Sequence, residues 1–223
     1  MAKIFLTILV AVLASVAANQ CLPKTCRGKT HTMCLHSSPR PSPYCNKVQT
    51  SSLTPEEEQE ILDAHNHFRA RVAHGQESLG NPGPQPAGNI PALKWDSELA
   101  KIAQRWANQC QFGHDKCRDV ERFQVGQNVA SKMHSRQHVA KMGELVKMWY
   151  DEVKDFDSRQ VKSFTWQEEP QIGHYTQLVW GDTTSVGCGA VRYLSRDNWY
   201  TTYLVCNYGP TGNWIGSPLY QTR

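Results

Sequence analysis

Eight cysteines behind a leader-like amino terminus constrain the fold of this 223-residue chain more than any other feature. Lys3, the apolar run 4–12 and the small residues 16–18 have the order of a secretory signal peptide. We therefore predict that residues 1–18 are a signal peptide and that the mature protein is secreted into the extracellular space. An even number of cysteines in an exported chain predicts disulfide bonds. The chain has no Cys-x-x-Cys motif, which argues against zinc ribbons and thioredoxin-like redox sites.

Length and charge indicate one domain and limit the classes of partner. Removal of the leader leaves 223 − 18 = 205 residues, enough for one sizeable core. Residues 19–53 hold four cysteines without apolar periodicity, so we expect a cysteine-rich arm there and the main domain at 54–223. The net charge of +4 is too small to indicate nucleic acid, and no later segment is apolar enough to span a membrane. We expect a monomer.

Three segments carry helical signals. Thr54, Pro55 and Glu57 have the residue types of an N-cap, a first helical position and a capping-box partner. A second helix is predicted to begin at Asp96 and a third to run over 139–156. The first of these helices has an apolar face at helical spacing, formed by Ile61, Leu62, His65, Phe68 and Val72.

The last fifty residues contain three β-strand candidates. The runs 173–180, 186–193 and 203–214 are rich in aromatic and β-branched residues and end in turn residues. Tight turns connect antiparallel neighbours, so these runs predict an antiparallel meander. Helices followed by a small sheet indicate the α+β class, in which each amphipathic helix covers a sheet face or another helix.

Four ordered motifs resemble those of a known family. GHYTQLVW at 173–180 and YLVCNYGPTGN at 203–213 are similar to the two signature segments of the CAP superfamily. HNHFR at 65–69 matches its HNxxR motif, and GQNV at 126–129 matches its Gly-Glu/Gln-Asn-aliphatic motif. The amino-terminal arm and several loops resemble the venom allergen 5 (antigen 5) proteins of stinging insects, and this similarity covers the whole mature chain.

The resemblance implies a fold and a function. It implies an α-β-α sandwich with a small central antiparallel sheet flanked by helices, with residues 54–223 as the CAP (SCP-like) domain. It also implies a non-enzymatic protein of venom or saliva, and an allergen. Eight cysteines alone allow 105 pairings. The resemblance selects Cys21 with Cys34, Cys26 with Cys117, Cys45 with Cys110, and Cys188 with Cys206.

The family's cleft is lined by two histidines and two acidic residues, which correspond here to His114, Gln127, Glu152 and His174. His114, Glu152 and His174 are one interpretation of a Zn²⁺ site, since two imidazoles and a carboxylate can hold the ion with water in the open position. Gln127 is neutral, so we expect only weak Zn²⁺ affinity and no required cofactor. The alternative interpretation, which we weigh more heavily, is a hydrogen-bonded network that joins helix to sheet.

Two further hypotheses concern function. A metal-assisted hydrolase or peptidase is the enzymatic alternative, but the chain has no Gly-x-Ser-x-Gly elbow and no serine placed by a motif beside either cleft histidine. We favour the second hypothesis over the enzymatic one: the protein binds a small lipid, which is a sterol or fatty acid, or it binds a host protein. The resemblance offers two apolar lipid clefts, one between the first and third helices and one beneath the loop before residue 173. The first would use Phe68, Val72, Leu145, Met148 and Trp149, and the second Phe156, Phe164, Trp166 and Ile172.

The remaining polar residues have plainer interpretations. His65 belongs to the apolar helix face and is expected to be a hydrogen-bonded core histidine, and Arg69 is expected to brace a neighbouring loop. Four other histidines lie in polar segments and are expected to be solvated, namely His31, His36, His134 and His138.

Overall fold

The computed structural model describes residue 21 and residues 23–223, so the predicted signal peptide lies outside the described residues. Its α-helices are α1 (Thr32–Leu35), α2 (Pro55–Ala73), α3 (Ser97–Ala107), α4 (Met142–Tyr150) and α5 (Gly173–Val179). Short 3₁₀ segments cover Lys24–Cys26, Asp151–Asp155 and Ser158–Lys162. The strands are β1 (Val48–Thr50), β2 (Gly88–Asn89), β3 (Lys94–Trp95), β4 (Gly126–His134), β5 (Ser185–Leu194), β6 (Tyr200–Gly209) and β7 (Gln221–Thr222).

The central sheet has the strand order β1-β5-β6-β4, and all three pairings along this path are antiparallel. β3 adds a short parallel pairing to β5, and β2 pairs with β7 in a separate ribbon. Cys188 lies directly opposite Cys206 across the β5–β6 pair. Gln127 of β4 lies opposite Asn207 of β6, so the sheet register places two polar side chains of the candidate cleft side by side.

Helices cover both faces of this sheet, which confirms the predicted α-β-α sandwich. Successive side chains of a strand point to opposite faces. Ala190 and Leu204 accordingly join the large core with α2, α4 and α5, whereas Val191 and Val205 join a second core with α3. Gly189 allows α3 to approach closely, because a Cβ there would collide with the backbone of Gln104.

Two of the three predicted helix starts, at Thr54 and at Asp96, are confirmed. The Thr54 hydroxyl accepts from the Glu57 backbone N–H, and the Glu57 carboxylate accepts from the Thr54 N–H, which completes the capping box. Asp96 caps α3 through the N–H groups of Glu98 and Leu99. The third helix is shorter than the predicted 139–156, since α4 spans Met142–Tyr150 and the chain continues as the tighter turns of Asp151–Asp155.

The predicted three-strand meander is wrong in one member. GHYTQLVW forms α5 and not a strand, and the third long strand is instead β4, which lies well before it in the chain. Short apolar runs carry too few residues to separate helical from strand periodicity. The hairpin of β5 and β6 is as predicted.

All eight cysteines pair, and the pairing is the one that the resemblance implies. Two of these bonds join the arm to the α3 end of the domain, through Cys117 and Cys110. His31 does not fit the expectation of a solvated residue, because it is buried and its Nδ1 accepts from the Met33 N–H at 3.1 Å. His36 is partly buried against Trp106, with 5.9 Å between the ring centroids.

Candidate functional site

Glu152 and His174 form the first half of the candidate cleft. Glu152 lies in the 3₁₀ segment after α4, and its Oε1 atom is 2.6 Å from His174 Nδ1. Its Oε2 atom accepts from the backbone N–H groups of His174 and Tyr175, at 2.9 and 3.1 Å. A carboxylate at this end of a helix satisfies N–H groups that have no partner within the helix. Because an ionised carboxylate only accepts, Nδ1 of His174 donates and its Nε2 keeps a free lone pair.

His114 and Gln127 form the second half. His114 Nδ1 is 2.8 Å from Gln127 Oε1. The Gln127 amide nitrogen donates to Asp115 Oδ1 at 3.1 Å and to Asn207 Oδ1 at 3.0 Å. Since the amide oxygen accepts, Nδ1 of His114 carries the proton, as it does in His174. Both cleft histidines therefore hold the same tautomer.

Several surrounding groups set the protonation of His114. Burial lowers the pKa of the His114 imidazole, and the Gln127 hydrogen bond opposes this by raising it. The positive charges of Arg118 and His174 lower the pKa further, while Asp115 raises it. His114 is therefore disposed to stay neutral, and its titration depends on the charge of His174.

β4 joins the two halves. Asn128, the residue after Gln127, donates from its amide to the His174 carbonyl at 3.0 Å and to the Tyr208 hydroxyl at 3.2 Å. The Trp149 indole stacks on the His174 ring, with 6.3 Å between centroids. The four predicted residues thus belong to two hydrogen-bonded groups that consecutive residues of β4 place side by side.

These two groups leave few atoms free for a metal ion. Among the residues that the structure describes, no group of three or more His, Cys, Asp or Glu side chains is placed to hold one. Both oxygens of Glu152 bind α5, and both polar atoms of Gln127 are hydrogen-bonded. Two imidazole Nε2 atoms remain, fewer than the three protein ligands of a usual catalytic zinc site. The arrangement therefore does not fit a resident zinc ion. The weak Zn²⁺ binding predicted for His114, Glu152 and His174 stays a prediction.

The HNxxR helix motif has a structural role in α2. His65 is fully buried, with Nδ1 2.7 Å from the Ile61 carbonyl oxygen and Nε2 2.8 Å from the Tyr208 hydroxyl. Burial lowers the pKa of His65 to about 4. Arg69 is also fully buried and donates to four carbonyls, those of Pro91, Leu178, Trp180 and Thr183.

The motifs of the sequence do not show what these contacts do for α5. The Arg69 guanidinium binds carbonyls at the carboxy-terminal end of α5, while the Glu152 carboxylate binds N–H groups at the amino-terminal end. A cation and an anion at these respective ends complement the helix dipole. The seven-residue α5 is therefore held at both ends by side chains from α2 and from the segment after α4. The HNxxR motif marks Arg69 as a residue of interest, but it does not indicate which carbonyl groups Arg69 binds.

The first predicted lipid cleft is closely packed. Val72, Leu145 and Trp149 are buried in the large core. Phe68 is partly buried and stacks on the Tyr150 ring, with 4.1 Å between centroids, and Met148 is exposed. A lipid site formed by these five residues stays a prediction.

The second predicted lipid cleft has one member at the surface. Phe156, Phe164 and Ile172 are fully buried, whereas Trp166 is 51% exposed. Two residues that were not predicted as part of this cleft are exposed on an adjoining segment, Trp214 at 49% and Ile215 at 72%. The sequence signal for them is their place just before Gly216 and Ser217, which have the composition of a surface turn. We call Trp166, Trp214 and Ile215 the indole surface.

Comparisons with known proteins support the resemblance. A model of the "Cysteine-rich secretory protein family" (CAP) matches residues 62–208 of this chain. The chain belongs to the CAP family. It is 50% identical to "Venom allergen 5" of Vespula maculifrons, over 92% of this chain and 100% of that protein. It is 47% identical to "Venom allergen 3" of Solenopsis invicta, over 94% of this chain and 92% of that protein.

Solved structures confirm the CAP fold of the chain. The "Structure of BmVAL-1" is 30% identical, with a TM-score of 0.66 and coverage of 77% of this chain and 84% of that one. The "Crystal structure of NaASP2 with Zn2+" is 28% identical, with a TM-score of 0.65 and coverage of 82% and 90%.

This CAP protein is thus of the venom allergen 5 type, and its four disulfides fit an extracellular protein. None of the helices described here is long and apolar enough to cross a bilayer.

Proposed function

We propose that this CAP protein is a secreted, non-enzymatic carrier that binds a small lipid, a sterol or fatty acid, on the indole surface. The observation that carries the proposal is the exposure of Trp166, Trp214 and Ile215 on adjoining segments. Single exposed apolar side chains are ordinary on a protein surface, whereas a group of them on adjoining segments marks a binding surface. The flat apolar face of an indole suits a sterol ring or an acyl chain.

Hydrogen bonds hold the two segments of the indole surface together. The Phe164 N–H donates to the Ser217 carbonyl at 2.9 Å, and the Gly216 N–H donates to the Phe164 carbonyl at 2.8 Å. These bonds bring residues 164–166 alongside the turn at 214–217. A lipid would therefore meet a surface that is already formed, which lowers the entropic cost of binding.

Gly173 ties this surface to the start of α5. A Cβ at Gly173 would lie 2.8 Å from the Trp166 ring, so any larger residue there would make the indole shift. The Asn213 amide, next to Trp214, donates to the Gly173 carbonyl at 2.9 Å. Both tryptophan segments thus border the first residue of α5, beside His174.

The contacts of Glu152 support a non-enzymatic role. A general base needs a carboxylate or imidazole that reaches the substrate. Glu152 instead binds three donors of α5, and His174 is oriented by that carboxylate. We infer that His114, His174 and Glu152 maintain the fold around the indole surface and carry out no hydrolysis.

Lipid uptake by the purified full chain tests this proposal. We expect saturable binding of a radiolabelled sterol or fatty acid, weakened roughly tenfold or more in Trp166→Ala and in Trp214→Ala. Burial of a large apolar side chain is worth about 1.5–3 kcal/mol, and about 1.4 kcal/mol corresponds to a tenfold change in affinity. Trp199→Ala is the matched control, because Trp199 is 44% exposed but lies at the β5–β6 turn. Its lipid affinity should equal that of the unmodified protein.

Three outcomes would overturn the proposal. These are an absence of saturable uptake of either lipid, equal losses in Trp166→Ala and Trp199→Ala, and hydrolysis of a peptide or ester that His174→Ala abolishes while the fold persists. If Trp166→Ala and Trp214→Ala impair binding of a purified host protein and no lipid binds, the surface serves a protein partner and the lipid assignment is wrong.

A further inference from the structure

His134 and His138 form a close pair outside the cleft. Their ring centroids are 4.1 Å apart and their planes are inclined by 51°. His134 is the last residue of β4 and is partly buried, which corrects the expectation that it is solvated, whereas His138 is exposed. A bend at residues 135 and 136 turns the chain back and brings the two imidazoles together.

The Nε2 atom of His134 lacks an evident partner. It is shielded from solvent, yet no hydrogen-bond donor or acceptor contacts it within the described part of the chain. Covered polar atoms in folded proteins nearly always have a partner, so an exception requires an explanation. Imidazole nitrogens are the commonest protein ligands of transition metals such as copper and zinc.

The surroundings fix the backbone of His134 and leave the ring of His138 able to move. His134 lies opposite Tyr200 at the end of the β4–β6 pairing, so its backbone is held by the sheet. The nearby Lys132 ammonium is hydrogen-bonded to the Glu144 carboxylate at 2.5 Å, which offsets its charge. The exposed ring of His138 is free to adjust toward a shared ion.

We propose that His134 and His138 bind one divalent transition-metal ion, Cu²⁺ or Zn²⁺, through one nitrogen of each ring. Metal–imidazole bonds of about 2.0–2.1 Å are compatible with rings this close after a small rotation of His138. Water would complete the coordination. Cu²⁺ should bind more tightly than Zn²⁺, as the general order of divalent affinities requires for nitrogen ligands. This site is independent of the lipid proposal and of His114 and His174.

Calorimetric titration of the full chain with CuSO₄ and with ZnCl₂ at neutral pH tests the proposal. We expect one site, with affinity weakened roughly tenfold or more in His134→Ala and in His138→Ala, because an ion held by one imidazole meets the second at a high effective concentration. The double variant His67→Ala/His74→Ala is the matched control, since it removes two exposed histidines elsewhere. It should bind both ions as the unmodified protein does.

A second variant separates this site from the cleft. His114→Ala/His174→Ala should leave the titration unchanged. Loss of Cu²⁺ and Zn²⁺ binding in that variant, with binding intact in His134→Ala, would overturn the proposal. The absence of binding in the unmodified protein would also overturn it. A folded far-ultraviolet circular dichroism spectrum for each variant excludes unfolding as the cause of a lost signal.

Discussion

The two halves of the cleft orient their histidines in the same way but with different chemistry. His174 donates from Nδ1 to the Glu152 carboxylate, whereas His114 donates from Nδ1 to the neutral Gln127 amide. The carboxylate also binds the end of a helix, while the amide donates to Asp115 and Asn207. One histidine is oriented by a charged acceptor, whereas the other is oriented by a neutral one and has a pKa lowered by burial.

This difference indicates why glutamine suits position 127. Its NH₂ group faces two oxygen atoms, one of Asp115 and one of Asn207, and only a donor satisfies both. A glutamate at 127 would place a second carboxylate against Asp115. The amide is therefore required by the surrounding network of this chain, and the loss of an anionic ligand is a consequence.

Glu152→Ala should produce the largest effect. It removes the acceptor of three donors, the Nδ1 and N–H of His174 and the N–H of Tyr175, in a largely buried setting. We expect the free energy of unfolding to fall by about 3 kcal/mol, since bonds to a charged acceptor are the stronger ones. Urea denaturation with the disulfides intact measures it.

Glu152→Gln sharpens the same test. The amide keeps one oxygen acceptor for α5 but loses the charge, so we expect a smaller loss of about 1 kcal/mol. If Glu152→Ala changes the free energy of unfolding by less than about 0.5 kcal/mol, Glu152 does not hold α5 and its carboxylate is available for another role.

Gln127→Glu should destabilise the other half. At pH 7 we expect a loss of about 2 kcal/mol, because two donated hydrogen bonds become contacts between acceptors. Burial and Asp115 would raise the pKa of the new carboxyl above its unfolded value. A raised acid pKa favours the folded state as pH falls, so the loss should shrink between pH 7 and pH 5.

The matched control for that substitution is Gln111→Glu, which adds the same charge at an exposed position. Its unfolding midpoint should match that of the unmodified protein at both pH values. Equal stability of Gln127→Glu and the unmodified protein at pH 7, measured with a chelator present, would contradict the role assigned to the amide.

The titration of His114 should show the smallest effect. Burial lowers its pKa, so ring signals in nuclear magnetic resonance spectra should titrate below the ordinary value of 6.5. The folded state then binds fewer protons than the unfolded state. The contribution of His114 to stability is full above pH 6.5 and is lost as pH falls through the folded pKa.

His174→Ala provides the comparison for this titration. It removes a positive charge that lowers the pKa of His114, so the pKa should rise toward its ordinary value. An unchanged His114 titration in His174→Ala would show that the two halves are electrostatically independent, contrary to the charge effect of His174 described above.

Local signals predicted some elements well. Thr54 with Glu57, and Asp96 with the N–H groups two and three residues later, are caps whose partners lie within one helical turn. The β5–β6 hairpin was similarly predictable, because a short turn joins two β-rich runs. Such features depend on neighbours in sequence, so the sequence alone specifies them.

Long-range partners explain the errors. α5 resembles a strand in composition, but Glu152, 22 residues before His174, and Arg69, 109 residues before Leu178, hold it as a helix. Resemblance to the CAP family placed Gln127 in the cleft, yet its partner Asn207 lies 80 residues away. The bonds that decide whether a cleft residue is a ligand or a scaffold cannot be predicted from motifs, since they depend on tertiary contacts.

The central claim is that a lipid is held on the indole surface and not by the cleft histidines His114 and His174. Native mass spectrometry of the protein, purified without detergent, tests this claim most directly. We predict a co-purifying mass in the range of a sterol or fatty acid that persists in His174→Ala and is lost in Trp166→Ala/Trp214→Ala. A lipid-free protein throughout, or a lipid lost in His174→Ala and retained in the tryptophan variant, would contradict this account.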